Sequence, residues 1–293
     1  MALVVAAATT PHERGEAVKR ILLLVNADKP AARDAAGTLT PWIAGRAMVE
    51  RLGLSDTPIQ TEADLVVVLG GDGSILKAAR MLAGREIPVL GINMGKLGYL
   101  AEFTAQEFCD KFDLIITGKA PVTRRMMLTV RCERAGNKPT EYQALNDVLL
   151  SGGDRHRMIA VAAAIDGEPV TTYYGDGVLV ATPTGSTAYC LAAGGPLLMP
   201  GLEALAVVPV CPHSLTHRPI VVRPDRQIVL ESCGLQHEAF CVVDGQEMVR
   251  LARGDRVFIR RAESAFLIVQ NPDRRPFETL REKLSWGQVP RYG

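Results

Sequence analysis

The most restrictive stretch of this sequence is an apolar run that passes straight into glycines. Leu65–Leu69 is aliphatic throughout and has the length of a buried strand, and Gly70–Ser74 follows it at once as Gly-Gly-Asp-Gly-Ser. Apolar residues then recur at Ile75, Ala79 and Leu82, which is the spacing of one helix face. A strand that breaks into glycines and restarts as a helix is the βα unit of an α/β fold.

The residues around this unit predict more elements of the same kind. Ile21–Val25 and Pro88–Ile92 are apolar runs of strand length. Thr40 and Pro41 favour a helix that starts there and ends at Gly53.

A capping box formed by Thr104 and Glu107 predicts another helix, which ends near Gly118. Because strands and helices alternate along the chain to about residue 120, we expect a parallel sheet covered on both faces.

The second half of the chain predicts mostly strands. Asp166-Gly167 and Asp244-Gly245 each lie between strand-like runs, and Asp-Gly is a strong hairpin signal. We therefore expect a mostly β, sandwich-like domain. The predicted strands are Met126–Arg131, Val148–Ser151, Met158–Ile165, Val170–Tyr174, Val178–Ala181, Ile228–Leu230, Phe240–Val243 and Val257–Arg260.

The length of 293 residues exceeds what one core usually serves, so two domains are expected. We place an α/β domain at residues 1–120, a β-rich domain at 121–264 and a C-terminal segment at 265–293. Phe277, Leu280 and Leu284 in that segment have helical spacing and could pack back on the first domain.

Charge and composition exclude several classes of protein. Lys and Arg number 33 and Asp and Glu 32, so no net field attracts a nucleic acid or an anionic membrane. The apolar opening Ala2–Ala8 is much shorter than the roughly 20 residues of a spanning helix. Six cysteines without CxxC spacing favour reduced thiols and a cytoplasmic location.

The glycine cluster predicts a phosphate site. Glycines at a helix N-terminus present free backbone N–H groups to an anion. Asp72 among them would repel a phosphate unless a cation or a hydroxyl lies between, so it is a candidate base or metal ligand. Neither the P-loop nor the G-x-G-x-x-G pattern is present. An ordinary turn capped by an aspartate is the alternative.

Further polar clusters lie in the second half. Thr182–Tyr189, with Gly194–Pro196 after it, combines hydroxyls, glycines and one ring, which suits a phosphate, a ribose and a base. Asn146-Asp147 and Gly175–Gly177 could bind ribose hydroxyls or an amide, or could be turns.

Two further candidate sites have simpler interpretations or lack a ligand. Lys77 could reach a phosphate, although a surface lysine is the simpler interpretation. The trio Cys211, His213 and His217 suggests zinc, but Pro212 interrupts it and a fourth ligand is missing.

Taken in order, these motifs resemble the ATP-NAD kinase family. They are Gly70–Ser74, the pattern Asn93-x-Gly95-x-Leu97-Gly98-Tyr99-Leu100, Asn146-Asp147, Gly175-Asp176-Gly177 and Thr182–Tyr189. The resemblance covers about residues 65–222. Gly-Gly-Asp-Gly is shared with lipid kinases and phosphofructokinases, whereas the Thr182–Tyr189 motif is more specific.

The resemblance implies a Mg²⁺-dependent transfer of a phosphoryl group from ATP to the 2′-hydroxyl of the adenosine ribose of NAD. It implies that Asp72 is the base, that Gly70, Gly71 and Ser74 form the phosphate loop, and that the enzyme is a homodimer or homotetramer. The residues that would contact the dinucleotide are Gly73, Asn146, Asp147, Arg157, Asp176, Thr187, Ala188, Tyr189, Cys190, Leu191, Ala192 and Gln246. No metal ligand from the protein is assigned.

One position departs from the family pattern: Asp147 stands where a glutamate is usual. Its shorter side chain puts the ribose contact in doubt. Two rival functions follow. One is a lipid or sphingoid kinase with the same glycine loop, and the other is an NAD(P)-binding sensor without catalysis.

Overall fold

The structure is a computed structural model and describes residues 17–95, 98–153, 158–234 and 238–284. These residues form two compact units. The first takes the described residues of Met1–Leu82, Glu86–Thr123 and Leu267–Gly293, and the second takes those of Ala83–Arg85 and Arg124–Phe266. The chain therefore leaves the first unit, builds the second and returns to the first.

The helices of the described chain are α1 (Pro30–Ala44), α2 (Asp72–Leu82), α3 (Ala105–Asp110), α4 (Phe112–Ile116), α5 (Tyr189–Ala192) and α6 (Pro276–Leu284). The strands are β1 (Arg20–Val25), β2 (Met48–Gly53), β3 (Leu65–Gly70), β4 (Val89–Asn93), β5 (Val122–Glu133), β6 (Thr140–Ala144), β7 (Asp147–Gly152), β8 (Ile159–Ile165), β9 (Glu168–Gly175), β10 (Gly177–Ala181), β11 (Leu205–Val210), β12 (Ile220–Val222), β13 (Ile228–Ser232), β14 (Ala239–Val243), β15 (Glu247–Leu251) and β16 (Arg256–Val269).

The first unit is built on a parallel sheet in the order β2-β1-β3-β4. All six residues of β3 are buried, as are five of the six in β1. Continuous apolar strands of this kind belong to sheets covered on both faces. The predicted α/β fold with a parallel sheet is thus confirmed, and so is the capping box of Thr104 and Glu107, which starts α3.

The helix predicted from Thr40 to Gly53 is wrong. Pro41 lies inside α1, which starts at Pro30, and the residues after it form β2. Proline suits the first turn of a helix, which explains the start at Pro30. β2 is an edge strand in which only Val49 and Leu52 are partly buried. The apolar residues that suggested one helix face are divided between α1, which contains Ile43, and β2, which contains Met48 and Leu52, with Ala47 between them. The buried face of α1 is Ala32, Ala36, Leu39 and Ile43.

The second unit consists of two antiparallel sheets. One contains β16-β13-β8-β9 with β5 and β6, and the other has the order β12-β11-β10-β7-β14-β15. Val161 and Ile228 from the first sheet share a core with Val148 and Val180 from the second. The expected mostly β, sandwich-like domain is confirmed, and every strand predicted for it is present.

Both Asp-Gly hairpins are also confirmed. Asp166 and Gly167, with φ of 52° and 83°, connect β8 to β9. Asp244 and Gly245, with φ of 51° and 63°, connect β14 to β15. Positive φ at both central residues is the requirement of a type I′ turn.

The sequence did not predict β6, β11, β12 and β15. Pro209 interrupts the apolar run of β11, and proline argues against a central strand. β6 and β15 carry charged and polar residues, and β12 has three residues, so none of them shows a strong period.

Candidate active site

The glycine turn of the first unit joins β3 to α2. A Cβ on Gly70 would lie 2.1 Å from the Ser74 hydroxyl oxygen, so glycine is needed for this turn to close. The Ser74 hydroxyl is buried and accepts a hydrogen bond from the Asn26 amide at 3.0 Å. Ser74 therefore holds the loop after β1 against the turn. Its predicted part in a phosphate loop stays a prediction.

Asp72 is the first residue of α2, and a neighbouring loop holds its carboxylate. Oδ2 accepts the N–H of Tyr99 at 2.8 Å. Oδ1 accepts the N–H groups of Leu100 and Ala101 at 3.0 and 3.1 Å. A Cβ on Gly98 would lie 1.9 Å from Oδ1. The carboxylate therefore sits in a cradle, formed by residues 98–101, that only glycine at position 98 leaves open.

The cradle is itself fixed to the sheet. A Cβ on Gly91 of β4 would lie 2.8 Å from the Cα of Ala101, so the two backbones pack directly. Burial, and then the charge of Asp72, raise the pKa of the Tyr99 hydroxyl. The family motif drew attention to residues 93–100, but their contact with Asp72 bridges 27 to 29 positions and had no local signal in the sequence.

A lysine that the sequence analysis did not single out lies at the turn. The Lys29 ammonium is 3.5 Å from the position of a Cβ on Gly71. Lys77, which had been considered, forms an ion pair with Asp56 at 3.2 Å. A cation beside backbone N–H groups at a helix N-terminus favours an anion there.

In the second unit, Asn146 and Asp147 are held by the turn between β14 and β15. The Asp244 carboxylate accepts the N–H groups of Leu145, Asn146 and Asp147 at 2.8, 2.8 and 3.0 Å. On the other side, the Thr182 hydroxyl donates to the Leu145 carbonyl at 2.6 Å. The backbone of this pair is thus fixed from two directions.

The side chain of Asp147 titrates near neutrality. Burial, and then the charge of Asp244, raise the pKa of Asp147 to about 7. Burial, and then the charge of Asp147, raise the pKa of the Cys190 thiol to about 11. At physiological pH, Cys190 is therefore a neutral thiol. Its side chain is fully buried and packs in an apolar cluster with Leu179 and Val208.

The segment from Thr182 to Ala192 folds as a 3₁₀ turn, Gly185–Thr187, followed by α5. A Cβ on Gly185 would lie 2.1 Å from the Asn146 carbonyl oxygen, so the segment packs directly on Asn146. Ser186 is fully buried, and its hydroxyl bonds to the carbonyls of Pro183 and Leu198. The Ser186 hydroxyl, one of the several hydroxyls that predicted a ligand site, therefore stabilises the turn itself.

An open pocket of about 410 Å³ lies on the outer face of the sheet that contains β7. Two of its lining residues, Asp176 and Tyr189, were predicted from the sequence. Ser151, Phe240 and Met248 were missed, although they alternate with core residues on their strands. The other lining residues are Leu149, Gly152, Gly153, Val210 and Val242.

The structure thus groups the predicted residues by unit. The phosphate-loop residues and Gly73 accompany Asp72 in the first unit, and Gln246, which is exposed, follows the Asp244 turn in the second. Thr187, Ala188 and Leu191 are partly buried and Ala192 is exposed. Arg157 lies outside the described residues.

Within the described ranges, no group of three or more His, Cys, Asp or Glu residues is placed so that it could hold a metal ion. Cys211 is therefore not part of a metal-binding group among these residues. Hydrogen bonding to Asp176, and then the charge of Asp176, raise the pKa of its thiol. In the same ranges, no helix has the length and apolar character needed to span a membrane.

Comparison with solved structures gives the class of protein, which is that of kinases acting on dinucleotides. A crystal structure of yeast NADH kinase complexed with NADH has the same fold, with a TM-score of 0.86 and 24% identity over 94% of this chain and 90% of that one. An NAD kinase from Archaeoglobus fulgidus in complex with ATP matches with a TM-score of 0.73 and 27% identity, over 91% and 98%.

Sequence comparison gives the family. Residues 51–120 match the ATP-NAD kinase N-terminal domain, and residues 145–271 match the ATP-NAD kinase C-terminal domain. The NAD kinase of Geobacter metallireducens is 37% identical over 92% of this chain and its own full length. That of Heliobacterium modesticaldum is 39% identical over 91% of this chain and 98% of its own. This chain belongs to the ATP-NAD kinase family, so the resemblance and the prediction of a kinase are confirmed.

Proposed function

We propose that this chain transfers the terminal phosphoryl group of ATP to the 2′-hydroxyl of the adenosine ribose of NAD and so makes NADP. The observation that carries the proposal is the Asp72 carboxylate, oriented by three backbone N–H groups where the glycine turn becomes α2. Membership of the ATP-NAD kinase family supports the choice of both substrates.

Asp72 would act mainly by orientation. A carboxylate has about four lone-pair positions, and three of those on Asp72 accept backbone N–H groups. Oδ2 accepts one such bond and Oδ1 accepts two. We therefore assign Oδ2 as the atom that accepts the 2′-hydroxyl proton. In a loose phosphoryl-transfer transition state the nucleophile needs little activation, so late acceptance of this proton is sufficient.

The donor site would use the Lys29 ammonium, which lies beside Gly71 in the glycine turn. Mg²⁺ is usually held by one or two carboxylates together with substrate phosphates. The open lone-pair position of Asp72 is assigned to the 2′-hydroxyl, so we assign no protein ligand, and Mg²⁺ would be held by the substrate phosphates. When bound with ATP, Mg²⁺ would neutralise charge on the phosphates.

The dinucleotide would be bound by the polar residues of the second unit. Asn146 and Asp147 would hold the adenosine, and Asp176 and Tyr189 in the 410 Å³ pocket would contact the nicotinamide half. The proposed contacts along the dinucleotide are Thr187, Ala188, Leu191, Ala192 and Gln246. The buried Cys190 would anchor this segment in the apolar cluster that contains Leu179 and Val208.

A homodimer or homotetramer and a cytoplasmic location remain proposals that rest on the family resemblance and on the reduced cysteines. Sedimentation equilibrium of the purified chain measures the first directly.

The test of the substrate compares three acceptors: NAD, NADP and a diacylglycerol in detergent, each with ATP and Mg²⁺. NAD should be phosphorylated and should raise the melting temperature. NADP, whose 2′-hydroxyl is already esterified, should raise the melting temperature and accept no phosphate. The polar groups proposed to hold the adenosine and its ribose would lack partners with the lipid, which should be disfavoured by a factor of order 10⁴. A lipid rate comparable to that with NAD would refute the assignment, and stabilisation without phosphorylation would favour the sensor.

A further inference from the structure

Asp244 does more than form a hairpin turn. Its buried carboxylate leaves the turn between β14 and β15 and accepts three successive N–H groups, those of residues 145–147, at 2.8 to 3.0 Å. Its own N–H donates to the Asp147 carbonyl at 2.9 Å. A type I′ turn needs none of these bonds, because Asn or Gly serves the left-handed backbone equally well.

The bonds fix a segment whose first two residues, Leu145 and Asn146, have no strand pairing of their own. β7 begins at Asp147, so the N–H groups of Leu145 and Asn146 lie ahead of the strand ladder. Buried backbone N–H groups need partners, and a buried N–H left without one costs about 1–3 kcal/mol. The Asp244 carboxylate supplies these partners.

We infer that Asp244 is a positioning residue that holds Asn146 and Asp147 in place for the adenosine half of the substrate. This inference rests on the proposed function, which assigns the adenosine contact to that pair. Asp244 itself would touch no reacting atom.

The charge of Asp244 has a second effect on the same pair. Among the residues that the structure describes, the titratable groups that interact with Asp147 are Asp244 and the Cys190 thiol, and the thiol is neutral at physiological pH. The pKa of Asp147 is raised to about 7 by burial and then by Asp244. If ionised Asp147 accepts the ribose hydroxyls, kcat/KM for NAD falls below about pH 7. Removing the Asp244 charge lowers the pKa of Asp147 and moves this acid limb to lower pH.

The test uses Asp244→Asn and a matched control, Asp255→Asn. Asp255 is also a buried carboxylate of the second unit, in the loop between β15 and β16, and it accepts the N–H groups of Ala135 and Ala252 at 3.0 and 2.8 Å. It contacts none of the proposed substrate residues through these bonds. Both variants lose stability by the same kind of change, so melting temperatures calibrate the structural effect.

We expect Asp244→Asn to raise KM for NAD about tenfold, the effect of one poorly satisfied buried group, with kcat nearly unchanged. Its acid limb should move to lower pH, and Asp255→Asn should change neither quantity. Asp244→Ser, which removes the charge and keeps one acceptor, should move the limb in the same direction. Unchanged KM and pH profile in both Asp244 variants, or equal changes in Asp255→Asn, would overturn the inference.

Calorimetric binding of NAD over the same pH range separates this inference from the proposed function. If the native chain binds NAD with an acid limb that Asp244→Asn displaces, the positioning role stands even where no NADP is formed. If the native chain forms NADP and the limb does not move, the positioning role is wrong and the function stands.

Discussion

Replacing Gly98 by alanine tests the cradle around Asp72 with a single methyl group. The new Cβ would lie 1.9 Å from Oδ1 of Asp72, and real Cβ contacts are not shorter than 3.0 Å. Either the carboxylate must turn away or the loop must withdraw. Both movements lengthen the hydrogen bonds from Leu100 and Ala101, which are 3.0 and 3.1 Å long.

The size of the effect follows from the displacement. The contact must lengthen by about 1 Å, and a misplacement of about 1 Å can cost roughly 10²-fold in rate. This equals about 2.7 kcal/mol of activation free energy.

Steady-state formation of NADP from ATP and NAD measures the effect. We expect kcat of Gly98→Ala to fall roughly 10²-fold, while KM for NAD changes little. Gly37→Ala is the matched control, because a Cβ at Gly37 in α1 meets nothing within 4 Å. A Gly98→Ala variant with the native kcat would refute the claim that the cradle positions Asp72.

Three more predictions address the other proposed residues. Asp72→Asn should lower kcat by roughly 10²–10⁴, as expected for a lost general base, with NAD affinity nearly unchanged in calorimetry; a near-native turnover would remove Asp72 from the mechanism. Asp147→Ala should raise KM for NAD because ribose hydroxyls lose a partner, whereas Asp147→Glu should keep or lower this KM. Unchanged kinetics in Asp147→Ala would show that this residue does not contact NAD. Lys29→Gln should raise KM for ATP severalfold through loss of one charge-assisted bond, and Lys77→Gln, which breaks only the pair with Asp56, should not; equal effects in initial-rate assays would argue against a special place for Lys29.

The sequence predicted what depends on neighbouring residues. The buried β3, its glycines and the helix after them are local patterns, and so are the two Asp-Gly turns, whose left-handed backbone both residue types tolerate. The error at Thr40 to Gly53 has the same origin, because an exposed edge strand with two partly buried residues has no local pattern that separates it from a helix.

The contacts that position the proposed site were not predictable in this way. In the cradle, Asp72 accepts hydrogen bonds from residues 99–101, which lie 27 to 29 positions away. The Asp244 carboxylate accepts hydrogen bonds from residues 145–147, which lie 97 to 99 positions away. Such bonds exist only once the sheets have formed. The raised pKa of Asp147 likewise follows from its burial beside Asp244, which no spacing in the sequence indicates. The family motifs predicted Asp72, Asn146 and Asp147 as site residues, and the folded chain shows the hydrogen bonds that hold them.

The most direct test of the central claim locates the phosphate. Purified chain is incubated with Mg²⁺, NAD and ATP labelled in its terminal phosphate, and the product is examined by ³¹P NMR and mass spectrometry beside Asp72→Asn. The account predicts labelled phosphate on the 2′-oxygen of the adenosine ribose, formed by the native chain and almost absent with the variant. Label on another hydroxyl, no labelled dinucleotide from the native chain, or equal labelling by Asp72→Asn would contradict it.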